Sequence, residues 1–287
     1  MIGSIRLATA ALLALLAACA VAPEPAPAPV AAPHDRLERI RVPADPLDRF
    51  TLASVMHVLY HELGHALIQQ FDIPMLAREE DAADNLATLL FLAEKSPIGR
   101  DALVAVAMGW LDMHRDDGGE PDSSTFADEH SLHIQRFFQI VCMLYGSDPE
   151  RETAMADDAR LPAERRETCV GEYEQIRSGW SRVLAPHMAV AGKPPGRRVA
   201  VSWEEGPGAQ APAVAMLRAS MAVEVVAEDA TSRLRLPNDF TIVLKTCGDE
   251  NAWWDADERT ITYCYELVTY YAGLAAKRVA TGSRSLR

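Results

Sequence analysis

Apolar positions recur with a helical period along the first two thirds of the chain, and with a strand period only towards its end. Residues 51–71 form an apolar stretch free of Pro, which predicts a buried helix. In 78–94, strong helix formers carry Leu86, Leu89, Leu90 and Ala93 at a 3.6-residue spacing. Residues 98–114, 131–145 and 163–184 continue the helical pattern, with a polar, Gly- and Pro-bearing loop at 115–124. The character changes after the Pro/Gly break at 191–196. Residues 198–203 alternate like a strand, and 240–246 and 259–265 are β-rich, with a turn at 255–258 between two hairpin arms. Residues 212–227 read as one helix with Val214, Leu217, Met221 and Val225 on a single stripe, and 266–279 as a terminal helix. The expectation is an α+β fold: a helical half over 45–190 and a small sheet supplied by 197–287. No internal repeat is visible.

The start of the chain has a different logic. Arg6 is the only charge before an apolar run from residue 7 to 18, which is too short to span a bilayer. It ends in Leu16-Ala17-Ala18-Cys19, which resembles the lipobox of bacterial lipoproteins. That resemblance implies a signal peptide over 1–18, cleavage before Cys19 and a diacylglycerol on its thiol. With Ala20 following, it implies an outer-membrane lipoprotein facing the periplasm. Residues 19–44, with alternating Pro and Ala at 21–34, read as an extended tether. The remainder, 45–287, is long enough for one large domain or two small ones.

Composition narrows the partners. Nearly half the chain is apolar (49%), so a sizeable core is expected, and the net charge is −13 with no basic stripe. Nucleic acid is therefore not an expected partner. Besides Cys19, four cysteines remain: Cys142, Cys169, Cys247 and Cys264. None has C-x-x-C spacing, and an even count in an exported protein predicts two disulfides. Three pairings are open, and proximity in sequence favours Cys142–Cys169 and Cys247–Cys264.

The chemistry centres on His61-Glu62-Leu63-Gly64-His65, inside the apolar 51–71 helix. On a helix the two histidines lie one turn apart, about 6 Å along the axis, with both imidazoles on one face. Such a pair suits two corners of a tetrahedral zinc site, and Glu62, one residue round, can reach water beside the ion. Burying three polar groups in an apolar segment needs partners, and a metal is one.

A third ligand is required. The segment Glu80-Asp81-Ala82-Ala83-Asp84-Asn85 resembles the E-x-x-x-D motif of gluzincin metallopeptidases, the thermolysin and neprilysin group. The resemblance implies a zincin-like fold, Glu80 as third ligand, and Asp84 as acceptor of the free ring N–H of a ligand histidine. Glu79 has no acid four residues on, so it and Asp81 read as an acidic helix start. Asn251-Ala252-Trp253-Trp254 resembles the strand edge on which those enzymes hold peptide substrates, with Asn251 and Ala252 as the holding residues. An electrophilic helper for the developing oxyanion is expected at His130, oriented by Asp128. His133, Tyr145 and Arg136 are weaker candidates, and His57 is expected to pack rather than bind metal.

Four segments, at 61–67, 78–84, 128–137 and 247–267, together resemble a bacterial metallopeptidase family. In that family the strand edge precedes the HExxH helix; here it follows. This order implies a circular permutation with a join near Arg197, the two halves forming one domain. The resemblance and the residues together point to a zinc-dependent peptidase with Glu62 as general base, acting on a peptide or protein and held to the membrane through Cys19. Two other readings remain: a catalytically silent zinc-binding scaffold or assembly lipoprotein, and a zinc amidase acting on cell-wall peptides. An intact Glu62 disfavours the first, because binding alone has no use for a base.

Overall fold

The computed structural model describes residues 39–93, 97–118, 121, 123–190, 196–282 and 286. The expected leader, Cys19, the tether up to residue 38 and most of the 191–196 break lie outside the described residues. The fold is α+β, with helices dominating and one four-stranded sheet near the chain's end.

Helix α1 (Pro46–Gln70) is the hub. Asp45 caps it, its side chain accepting the Leu47 N–H at 2.8 Å, and Pro46 occupies the first turn, where no N–H is needed. From Phe50 to Ile68 almost every residue is buried, His57, His61 and Glu62 included. A helix apolar on all sides must be wrapped on all sides. Here the wrapping comes from α2 (Glu79–Leu92), α3 (Pro97–Asp116), α10 (Tyr265–Thr281) and the sheet. Gly64 is where α2 comes closest: a Cβ there would sit 3.0 Å from Ala83 Cα and 3.1 Å from its Cβ. Gly64→Val is therefore expected to destabilise the protein by about 1–3 kcal/mol through overpacking, read as a fall in Tm.

Outside this layer stand α4 (Ser123–Ala127), α5 (His133–Ser147), α6 (Pro149–Asp158) and α7 (Ala163–Leu184). The Cys142–Cys169 disulfide ties α5 to α7. Arg100 on α3 grips the buried Glu152 of α6 through both carboxylate oxygens, at 2.8 and 2.8–3.1 Å.

The sheet comprises β1 (Val199–Trp203), β2 (Phe240–Lys245), β3 (Ala252–Asp255) and β4 (Thr260–Cys264), in the order β1-β2-β4-β3. β1–β2 and β2–β4 are parallel, and β3 runs antiparallel to β4 as the edge strand, against α1. The hairpin is thus β3–β4. The β-rich segments 240–246 and 259–265, expected as flanking arms, are instead parallel neighbours, and the second disulfide, Cys247–Cys264, joins their ends. Helices α8 (Pro212–Ser220) and α9 (Ala222–Arg233) connect β1 to β2. The single helix expected over 212–227 breaks at Met221, which adopts φ +62° and is exposed rather than buried in the stripe. Ser220 terminates α8 from within: its Oγ takes the Ala222 N–H at 3.2 Å and donates to Leu217 O at 2.6 Å.

One contiguous core runs through residues of both the 45–190 and 197–287 stretches. The end of α10 lies beside the start of α1, where Arg278 stacks over Phe50 at 5.3 Å and forms an ion pair with buried Asp112. Among the described residues no helix is long and apolar enough to cross a membrane.

Candidate metal centre

His61 and His65 point their Nε2 atoms at one another, 3.0 Å apart. Each ring's other nitrogen is fastened: His61 Nδ1 lies 2.8 Å from Asp84 Oδ1, and His65 Nδ1 lies 2.8 Å from Glu79 Oε1. Ionised carboxylates only accept, so each Nδ1 carries a proton, which leaves each Nε2 as the atom able to hold a metal. Glu80 closes the group, with Oε2 3.0 Å from His61 Nε2 and Oε1 3.3 Å from His65 Nε2. Glu80 Oε2 is buried, and no N–H is aligned on it as a donor. Two imidazole nitrogens and a carboxylate this close are held together by positive charge, which protons supply without a metal and a metal ion supplies in their place. A tetrahedral zinc ion with bonds of about 2.0–2.1 Å holds its donors about 3.3 Å apart, close to the spacing here. The donor set therefore fits a metal of zinc's preferences.

The surroundings reinforce this chemistry. Burial opposes charge on His61, but contacts with Asp84 and Glu80 and the field of Glu62 outweigh it and raise its pKa to about 9. His65 behaves alike, raised to about 9 by Glu80, Glu79 and Glu62 against burial. Against the cost of their own burial, the imidazoles of His130, His61 and His65 hold Glu80 far below the usual carboxylate range, and Arg136 and His61 do the same for Asp84. A pocket that favours protons this strongly favours a cation in general. Raised histidine pKa values contribute stability that is full below about 6.5 and lost as pH rises through about 9. The metal-free protein should therefore lose thermal stability between pH 6.5 and 9, while added metal should rescue it most at the upper end. Melting curves across that range, with chelator or with zinc, check both.

Asp84 is itself clamped by Arg136, with Nε at 2.6 Å and Nη2 at 2.5 Å, and the guanidinium stacks 3.8 Å over the Trp110 ring. The chain Trp110–Arg136–Asp84–His61 fixes the first histidine's orientation from four elements' worth of packing. Glu62 is buried beside the two histidines; burial raises its carboxyl pKa, while His61, His65 and the nearby Trp254 backbone N–H oppose this. That amide comes from the edge strand β3, so sheet and helix meet at this carboxylate. His130 stands over the group with Nε2 3.0 Å from Glu80 Oε2, while Asp128 accepts from its backbone N–H at 2.8 Å and contacts Nδ1 at 3.0 Å. Its donor atom, with those of His61 and Glu80, forms a compact triad within 4.8 Å. Asn251 and Ala252 line the same cleft as His61, His130 and Arg136, a space of about 740 Å³.

A family model described as "Putative metallopeptidase" matches residues 38–184 and 208–286, most of the chain. The chain belongs to that family. No curated protein and no solved structure matches it. Membership implies a metal ion, and the His61/Glu80 cluster is where this chain has the donors for one.

The structure brings His61, Glu62, His65, Glu80, Asp84, Asp128, His130, Asn251 and Ala252 to a single cleft and its floor. The reading of Glu79 as a mere helix-start acid is corrected: it orients His65. Asp81 accepts the Ser131 hydroxyl at 2.7 Å, which anchors the segment carrying His130. Of the weaker candidates, Arg136 belongs to the site, His133 lines the cleft with its Nδ1 3.0 Å from Asp117, and Tyr145 lies under Arg166 at 5.9 Å. His57 packs as expected. Burial lowers its pKa to about 3, its ring stacks on Phe91 at 6.2 Å, and Thr88 Oγ1 is its polar neighbour at 3.5 Å. The contributions of Trp110 and the Trp254 amide had no sequence signal, since one is a stacking contact and the other a backbone group.

Proposed function

We propose that this chain is a zinc-dependent peptidase in which His61, His65 and Glu80 hold the ion and Glu62 is the general base. The observation that carries the reading is the pair of inward-facing imidazole Nε2 atoms, each ring locked by a carboxylate at Nδ1, with Glu80 closing the group and Glu62 beside it. When bound, zinc supplies Lewis acidity, lowering the pKa of a water and polarising a carbonyl. Glu62 takes the proton of the attacking water and returns it to the leaving amine, a task that its raised pKa suits. His130, whose pKa is raised chiefly by its contact with Glu80, donates to the developing oxyanion. Asn251 and Ala252 align the peptide along the open side of β3.

We also propose that the protein is exported and lipidated at Cys19 in the outer membrane, facing the periplasm; two disulfides suit that oxidising compartment. The reversed order of helix and strand edge is proposed to be a circular permutation. The adjacency of the α10 end to the α1 start supports it, because an unpermuted chain would be continuous there.

The test is metal content of the mature protein measured beside cleavage of a peptide mixture. One zinc per chain, with cleavage abolished by chelator and restored by zinc, is the expected result. A protein that holds zinc and cleaves nothing would be the silent scaffold, and one that cleaves only cell-wall cross-link peptides would be the amidase.

A further inference from the structure

The face of α1 that carries His61 continues towards the start of the helix through His57 and Ser54, one and two turns earlier. Both are almost wholly buried, at 1% and 4% exposure. Each carries a polar atom with no hydrogen-bond partner among the described residues: Nδ1 of His57 and Oγ of Ser54. His57 turns its other nitrogen to Thr88 Oγ1, at 3.5 Å. Buried polar atoms are rarely left so, because each has given up its hydrogen bonds to solvent.

The two side chains line one small cavity, completed by Gly109 and Trp110 of α3, Tyr271 of α10 and three apolar neighbours. Its volume is about 10 Å³, the room that the centre of a single water molecule needs and too little for a larger ligand. Water also suits the chemistry. Burial lowers the His57 pKa to about 3, so the ring is neutral, with one N–H and one lone pair. Whichever of these Nδ1 bears, a water can answer it and still bond a hydroxyl. Tyr271 brings a third polar group, and burial raises its hydroxyl pKa, so it stays a donor. Buried waters are held by two to four such partners. Trp110 is both a wall of this cavity and the ring under Arg136, 3.8 Å away, so the cavity adjoins the packing that orients His61.

We propose that Ser54, His57 and Tyr271 bind one structural water molecule between α1, α3 and α10. The site is distinct from the cleft and stands whether or not the protein is a peptidase. Gly109 supplies a test with a sign. A Cβ there would lie 3.8 Å from Ser54 Oγ and 3.4 Å from Phe50 Cζ, ordinary contacts, so an added methyl fits beside the Ser54 hydroxyl. In a helix interior Ala is favoured over Ser, and Ser over Gly. With a dry cavity, Gly109→Ala is therefore the most stable form. With a bound water, the methyl displaces it and strands two buried polar atoms, whereas Gly109→Ser brings a hydroxyl to the same place.

The experiment is a high-resolution crystal structure of the mature protein, beside melting curves of wild type, Gly109→Ala and Gly109→Ser. The expected structure shows one ordered water at about 2.7–3.2 Å from Ser54 Oγ and from His57 Nδ1. Gly109→Ala is expected to melt about 2–6 °C below wild type, and below Gly109→Ser, against the order of helix propensity. Adding Ser54→Ala to Gly109→Ala should then recover part of the loss, because one of the stranded atoms is gone. A dry cavity, or a Ser54 hydroxyl turned onto the Phe50 carbonyl of its own helix, overturns the inference. So does an ion at metal-bond distance from His57, or a Gly109→Ala variant that melts at or above wild type or above Gly109→Ser.

Discussion

Glu62→Gln is expected to lower peptide hydrolysis by about 10²–10⁴-fold while leaving zinc content and Tm close to wild type. Gln has the same shape and keeps an acceptor oxygen beside the Trp254 backbone amide, so helix and edge strand can still meet there. It cannot take a proton. The neighbouring ligands are untouched, since Glu62 is not among the atoms converging between His61, His65 and Glu80. Activity assays beside metal analysis separate the two effects. A Gln variant with wild-type turnover would place the base elsewhere; one that lost its zinc would make Glu62 a ligand.

The second large effect belongs to the Arg136–Asp84 pair. Both side chains are almost wholly buried, at 10% and 14% exposure, and the pair is bidentate. Arg136→Met leaves the Asp84 carboxylate buried without its counter-charge, and a loss of about 3–5 kcal/mol in stability is expected. Because His61 then loses its fixed acceptor, zinc affinity should fall by about 10–100-fold as well. The double change Arg136→Met with Asp84→Leu removes both charges and should recover most of the stability, yet not the affinity. Denaturant melts and competition with a zinc chelator distinguish these outcomes. Recovery of both would mean that the pair serves packing alone. In the wild type Asp84 is held below its unfolded pKa, so its contribution is present at neutral pH and is lost as pH falls below the ordinary carboxylate range.

Much of this was legible in the residues because the signals were local. A helix repeats every 3.6 residues, so His61 and His65 could be placed on one helix face from spacing, Glu80 and Asp84 were marked by their resemblance to the E-x-x-x-D motif, and the structure sets all four together. The cysteine pairs nearest in sequence are the pairs formed. What spacing could not give was the order of strands. Segments 240–246 and 259–265 lie close enough in sequence to pass for arms of one turn, but the short β3 inserts itself and takes the antiparallel place, which leaves β2 and β4 parallel. The break at Met221 was hidden for another reason: its flanks share a helical stripe, and a left-handed residue that is not Gly leaves little trace in composition. Helix α6 was missed because its sequence is mostly polar, and only Met155 and Ala156, with ion-paired Glu152, face inward. Glu79 was misread because it has no acid four residues on, and only α2's rotation shows that it faces His65 Nδ1 while Glu80 lies against both histidines.

The metal donors and the strand edge reach the cleft by unrelated routes. His61, His65 and Glu80 sit on two consecutive helices, whereas the edge is anchored by Cys247–Cys264 from the far end of the chain, with the Cys247 and Gly248 amides held at 3.1 and 2.8 Å by Glu266. Material in which Cys247–Cys264 alone stayed reduced would therefore keep its metal donors in place and yet present a slack strand. Batches of equal zinc content would differ in catalytic quality according to where they had folded, and a thiol count would be the better measure of a preparation than its metal analysis.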